Sequence, residues 1–260
     1  MAERRSVDAL LGALVSSIHA VLGEDLVGIY LYGSYVSGGF DPEVSDLDLV
    51  SVTSAGVEGP DFAGLDRVHG GFVGRHPEWN DRLEVVYVEL AALQSFRTSP
   101  GPLAVISPGE PFHLRGEPLV EWVQNWYLIR ESGIALFGPA PATIVPPIAW
   151  TEFVAAAVHY ADYVSKRSFG DASPGALAYA VLTMCRALRT VEAQTHGSKQ
   201  EAAAWTIERM PEWARVIETA LRCRLSHGTV GFDDEQTRAA AEAFIGLLAA
   251  EIAHSSSAAM

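Results

Sequence analysis

The stretch from Gly28 to Val52 constrains this chain more than any other. An apolar run, Gly28-Ile29-Tyr30-Leu31-Tyr32, ends in Gly33-Ser34. A loop carrying Gly38, Gly39 and Pro42 follows, and a second apolar run opens with Ser45-Asp46-Leu47-Asp48 and continues to Val52. Read as strand, turn, loop and strand, the pattern puts Asp46 and Asp48 on one face and Leu47 and Leu49 on the other, because successive strand residues alternate. Two carboxylates side by side repel by roughly 4 kcal/mol at about 4 Å and an effective dielectric near 20. A divalent cation removes that repulsion. The stretch therefore offers a glycine turn that can approach a phosphate and, beside it, oxygen ligands suited to Mg²⁺.

Elsewhere the periodicities divide the chain in two. Val7, Leu10, Leu11, Leu14, Val15, Ile18, Val21 and Leu22 recur at helical spacing, predicting a helix over 6–22 with Ser6 as its N-cap. Strands are expected at about 27–32, 47–53 and 83–90, the last rich in β-branched and aromatic residues. Residues 35–45 and 54–63 read as loops, and a short helix or irregular segment reaches about residue 79. Proline and glycine make 97–118 read as a surface loop, followed by helical spacing over 118–132. A proline-rich stretch at 138–147 fits a linker. From Thr151 the pattern is helical, with segments expected at about 151–167, 173–197, from 198 onward, 212–226 and 233–253, and a loose tail from Ser255. Ser173-Pro174 and Ser198 with Glu201 are helix starts. The fold class expected is α+β: a mixed sheet with helices over 1–145, then an all-α bundle over 146–260.

Glu84 shares a strand face with Val86 and Val88. A carboxylate on a mostly apolar face is costly unless it has a partner.

Composition excludes several classes. The formal charge is −14, with two lysines, Lys166 and Lys199, beside sixteen arginines. That argues against nucleic acid as a main partner and suits a cationic small molecule. Cys185 and Cys223 have no metal-ligand spacing and read as reduced core thiols. No signal-peptide core follows Met1-Ala-Glu-Arg-Arg, and no run is expected to span a membrane, so a cytoplasmic protein is expected.

The motifs Leu31-Tyr-Gly-Ser34, Ser45-Asp-Leu-Asp48 and Leu83-Glu-Val85 resemble the signature of the DNA polymerase β nucleotidyltransferase superfamily. Together with Arg130-Glu-Ser-Gly-Ile-Ala-Leu-Phe-Gly-Pro139, Val181-Leu-Thr-Met-Cys-Arg186, Ser198-Lys199 and Ala204-Trp-Thr-Ile-Glu-Arg-Met-Pro211, they resemble the aminoglycoside adenylyltransferases of the streptomycin/spectinomycin type. The resemblance implies a monomeric enzyme that moves AMP from ATP to an acceptor hydroxyl with Mg²⁺ and releases pyrophosphate. It implies Asp46, Asp48 and Glu84 around the metal, with Glu84 as general base. Gly33, Ser34 and Ser45 would hold phosphates, and Arg186 and Lys199 would neutralise the triphosphate. Streptomycin-accepting members place acids before the Val-Leu-Thr-x-x-Arg motif. Here Ser173-Pro-Gly-Ala-Leu-Ala-Tyr179 has none, Asp171 being the nearest, and Pro111-Phe112 stands in a loop where a tryptophan is expected. Both departures weigh against streptomycin and leave spectinomycin or another hydroxylated molecule. A nucleotidyltransferase acting on a different small molecule or on a protein side chain is the alternative.

Overall fold

The structure is a computed structural model that describes residues 2–99, 101–116 and 118–258. It divides into two compact units, residues 1–148 and 149–260.

The first unit runs α1 (Ala2–Leu22), β1 (Leu26–Tyr32), α2 (Ser34–Ser37), β2 (Leu47–Thr53), α3 (Gly59–Arg75), β3 (Leu83–Glu89), α4 (Leu90–Gln94), β4 (Pro102–Ser107), β5 (Glu110–Gly116), α5 (Val123–Ser132), β6 (Ile134–Phe137) and α6 (Pro141–Ile144). The six strands form one sheet in the order β5-β4-β3-β2-β1-β6. β2 and β3 are parallel, and the other neighbours are antiparallel. A parallel pair needs a crossover rather than a tight turn, and α3 supplies it.

Alternation sorts the sheet into two faces. Ile29, Leu31, Leu47, Leu49, Val85 and Tyr87 pack with Leu11, Leu14 and Ile18 of α1 and Leu65 and Phe72 of α3 in one core. Each such buried apolar side chain is worth about 1.5–3 kcal/mol over an exposed one. The opposite parity, Tyr32, Asp48, Val50, Glu84 and Val86, falls on the other face, where Asn125 of α5 reaches Tyr32. The apolar parity thus fixes which face the carboxylates take.

Several expectations are corrected here. α1 begins at Ala2, so Ser6 lies inside it rather than at its cap; Ala, Glu and Arg are strong helix formers. Its stretch Val7–Asp25 is long and apolar enough to cross a membrane, contrary to the expectation. In the structure Val7, Leu10, Leu11, Leu14, Ile18 and Leu22 of that stretch are buried in the first unit's core. Residues 97–118 hold a β-hairpin. Pro102 opens β4 and Pro111 lies on the edge strand β5, positions where a proline's missing donor is tolerated, and Gly109 turns the chain at φ +78°. A single helical turn follows Gly33, 134–137 is an edge strand, α3 is a full 17-residue helix, and the last helix runs through the expected tail to Ala258.

The second unit is a helical bundle: α7 (Trp150–Ser165), α8 (Pro174–Glu192), α9 (Lys199–Arg209), α10 (Ala214–Leu225) and α11 (Glu235–Ala258). α8 packs against all four others, and its residues from Leu177 to Cys185 are buried apart from Tyr179. A helix that is apolar nearly all round belongs at a bundle's centre. Ser173 Oγ accepts from Ala176 N at its start, and Ser198 with Glu201 forms a reciprocal cap on α9. Both cysteines are free and buried, and burial pushes the Cys185 thiol up to about 12.

Two histidines, His69 buried and His196 half-buried, couple stability to pH. His69 of α3 makes a 2.9 Å hydrogen bond between its Nε2 and Tyr87 Oη, and burial lowers its pKa to about 4. His196 is lowered to about 4 by burial and then by Arg186 and Arg189. A depressed histidine leaves stability intact above pH 6.5. Below that the unfolded chain takes up a proton that the folded chain refuses, so stability falls from pH 6.5 towards 4. For His69 the loss by pH 4 is on the order of 3 kcal/mol. In denaturant titrations, His69→Leu is expected to flatten the acid limb by that amount while costing stability at pH 7.5 through the unpaired Tyr87 hydroxyl.

Candidate active site

Gly33 closes β1 at φ +69° and ψ −144°, a conformation for residues without a Cβ. A Cβ at this position would fall on Asp48 Oδ2. The glycine is needed both for its backbone angles and because the Asp48 carboxylate occupies the space beside it. Ser34 opens the short α2, which is anchored behind by Tyr35 Oη donating to Asp8 Oδ1 of α1 at 2.7 Å.

Register assembles the acidic group. Asp48 lies opposite Tyr32 on the antiparallel neighbour and opposite Glu84 on the parallel one. Asp46, immediately before β2, shares the parity of Asp48. Glu84 is held by Tyr32 Oη, which donates to Oε1 at 3.2 Å, and by Ser107 Oγ at 3.5 Å from Oε2. Asn125 Nδ2 in turn donates to Tyr32 Oη at 3.0 Å. Burial raises the Glu84 pKa and the negative charge of Asp46 adds to it, while the Tyr32 and Ser107 hydrogen bonds oppose the rise. Tyr32 is driven well up by burial and by the charges of Glu84 and Asp48, so it remains a donor.

Ser45 is buried, and its Oγ accepts from Asp41 N at 2.9 Å, closing the turn before Asp46. Arg82 lies over the Trp79 ring at 4.5 Å and donates from Nη2 to the carbonyls of Pro42 at 2.6 Å and Ser45 at 2.7 Å.

The donor set fits a hard divalent cation. All the candidates are oxygen, and Mg²⁺ is ordinarily bound by one or two carboxylates with substrate phosphates and water completing its shell. Among the described residues no three His, Cys, Asp or Glu side chains gather into a metal-binding cluster. Asp46, Asp48 and Glu84, expected together around a metal, are therefore not gathered as a three-residue cluster here.

Arg186 and Lys199 belong to the second unit, on α8 and at the first position of α9. Lys199 Nζ stands 4.5 Å from the centroid of the Tyr179 ring. His196 is depressed first by burial and then by the charges of Arg186 and Arg189, with Glu201 opposing.

Comparisons with known proteins match both units. Residues 19–107 match the model of the nucleotidyltransferase domain, and residues 143–251 match that of the aminoglycoside adenylyltransferase C-terminal domain. The first unit thus carries a nucleotidyltransferase domain, and the second matches the C-terminal domain of the aminoglycoside adenylyltransferases. The chain is a nucleotidyltransferase whose first unit carries the acidic site. The fold is that of the spectinomycin adenyltransferase AAD(9) from Enterococcus faecialis, whose crystal structure contains ATP and spectinomycin. The TM-score is 0.74 at 17% identity, over 94% of this chain and 98% of that one. A comparison with curated protein sequences gives no match.

Sequence reasoning missed Tyr32, Ser107, Asn125 and Arg82. Tyr32 was readable in principle, since it precedes the Gly33-Ser34 turn with the parity that faces the acids. Arg82 carried no pattern separating it from fifteen other arginines.

Gly33→Ala tests the turn. The added methyl group can be accommodated only by swinging the Asp48 carboxylate away and straining the backbone, at roughly 1–3 kcal/mol. A folded protein with a lowered melting temperature and Mg²⁺-dependent nucleotide binding weakened at least tenfold is the expected result, read by thermal melts and calorimetric titration.

Proposed function

We propose that the protein transfers AMP from ATP to a hydroxyl of an aminoglycoside-type antibiotic, with spectinomycin the first candidate, and releases pyrophosphate. The observation that carries this reading is the register setting Asp48 against Glu84, with the Gly33 turn closed onto the Asp48 carboxylate. AAD(9), which shares the fold, was crystallised with ATP and spectinomycin, and that supports both substrates. The absence of acids from 173–179 supports spectinomycin over streptomycin.

Asp46 and Asp48 would hold Mg²⁺, with Glu84 completing the acidic group. Bound there, the ion would screen the triphosphate and stabilise the charge that develops on the transferring phosphoryl group. Ser34 and the Gly33 turn contact the phosphates, while Ser45 keeps the turn that carries Asp46 closed. Glu84 accepts the proton of the acceptor hydroxyl as its oxygen bonds to the α-phosphorus and the bond to pyrophosphate breaks. The raised Glu84 pKa supports this role, since a stronger base is a better proton acceptor. Arg186 and Lys199 would neutralise the triphosphate and then the departing pyrophosphate, a role carried by the family motifs. With no basic surplus and an acidic chain, the acceptor is a small cationic molecule rather than nucleic acid, and the reading takes the enzyme as a cytoplasmic monomer.

The deciding assay is pyrophosphate release with ATP and Mg²⁺ across aminoglycosides and spectinomycin. Acceptor-dependent release is expected, reduced at least about 100-fold in Glu84→Gln. Lys199→Ala and Arg186→Ala are each expected to raise the KM for ATP roughly tenfold or more, the loss of one charge-assisted hydrogen bond. Nucleotide binding without release for any acceptor would overturn the antibiotic assignment.

A further inference from the structure

We infer that Arg82 is a positioning residue for Mg²⁺-nucleotide binding, acting by fixing the backbone on both sides of Asp46. The inference rests on the proposed role of Asp46 as a metal ligand.

The contacts are unusually concentrated. Arg82 donates to the Ser45 carbonyl from Nη2 at 2.7 Å and from Nε at 3.2 Å, and to the Pro42 carbonyl from Nη2 at 2.6 Å. Its own carbonyl accepts from Leu47 N at 2.9 Å. The peptide groups before and after Asp46 are therefore both held by one residue on the neighbouring segment. Asp46 itself precedes the β2 ladder, so the first ladder pair, Leu47 with Leu83, leaves it outside the regular pairing. Without the Arg82 guanidinium the turn before Asp46 would keep its short-range bonds, Asp41 N to Ser45 Oγ and Ser45 N to Asp41 O, but lose the side-chain tie that Arg82 gives it to the neighbouring segment.

Arg82 is itself fixed. Its guanidinium lies 4.5 Å over the ring of Trp79, which is buried. The preceding residue, Asp81, sits at φ +57° and accepts from Gly109 N at 3.1 Å, tying the same segment to the β4–β5 turn. A planar fork that addresses two carbonyls while stacking on an indole is a task for arginine. A lysine ammonium supplies the charge but not the fork or the plane. Partners that orient a metal ligand typically cost 10–100-fold in affinity when lost.

Arg82→Lys separates positioning from charge. Wild type and variant are titrated calorimetrically with Mg²⁺ and a non-hydrolysable ATP analogue, followed by amide hydrogen exchange and thermal melts. The variant is expected to bind 10–100-fold more weakly. Exchange should quicken at the amides of 44–47 but not across the rest of the sheet, and kcat at saturating Mg²⁺-ATP should stay within a few-fold of wild type. Equal affinity in the variant, or unchanged exchange at 44–47, overturns the inference. So does acceleration throughout the unit with a collapsed melting temperature, which would mark Arg82 as a general support of the fold. Failure of the wild type to bind the analogue is a different result: it sinks the proposed function, and this role with it.

Discussion

Everything at the site depends on one pairing, the parallel register of β2 and β3 that sets Asp48 against Glu84. A slip of one residue would turn an entire strand over. If β2 slipped, Leu47 and Leu49 would leave the core beneath α1 and α3 and Asp48 would enter it; if β3 slipped, Val85 and Tyr87 would leave and Glu84 would enter. Hydrophobic burial on one face thus enforces electrostatic crowding on the other. The crowding is the useful product, because it is what a cation can relieve.

The fold absorbs that crowding in layers. Tyr32 and Ser107 direct hydroxyls at Glu84, and Asn125 holds Tyr32 in place. Arg82 directs donors to the Ser45 and Pro42 carbonyls, which brings a cation near the acids. In the second unit the helices are organised by the apolar surface of α8 and by side-chain caps, and Arg238 of α11 donates from Nη2 to the carbonyls of Phe169 at 2.8 Å and Ala172 at 2.7 Å. In the first unit Arg130 Nη1 holds the carbonyls of Ala142 and Val145, which gives the Arg130-to-Pro139 motif a structural meaning.

Much of this was legible in the residues. Alternation put Asp46 with Asp48 on one face of β2 and Glu84 with Val86 and Val88 on one face of β3, while their meeting rested on the family resemblance; the helical periods located the starts of all five bundle helices to within a few residues. The Gly33 requirement was visible as a glycine after a strand, though not its cause, since the clash with Asp48 exists only once β1 and β2 are paired. The β4–β5 hairpin stayed hidden because prolines read as loop unless one knows which positions face the ladder. Arg82 was illegible for a related reason. Its importance lies in which carbonyls it meets, and carbonyls have no signature in a sequence.

The parallel pairing also bears on how the first unit acquires its site. β2 and β3 are separated in sequence by the whole of α3, so Asp48 and Glu84 cannot meet through any local turn. Non-local pairing is intrinsically slow, and here the contacts that reward it are the apolar ones on the opposite face. A chain in which α1, α3 and the strand faces have not yet closed keeps its acids far apart and hydrated. The like charges meet only when burial of the other face is strong enough to hold them together.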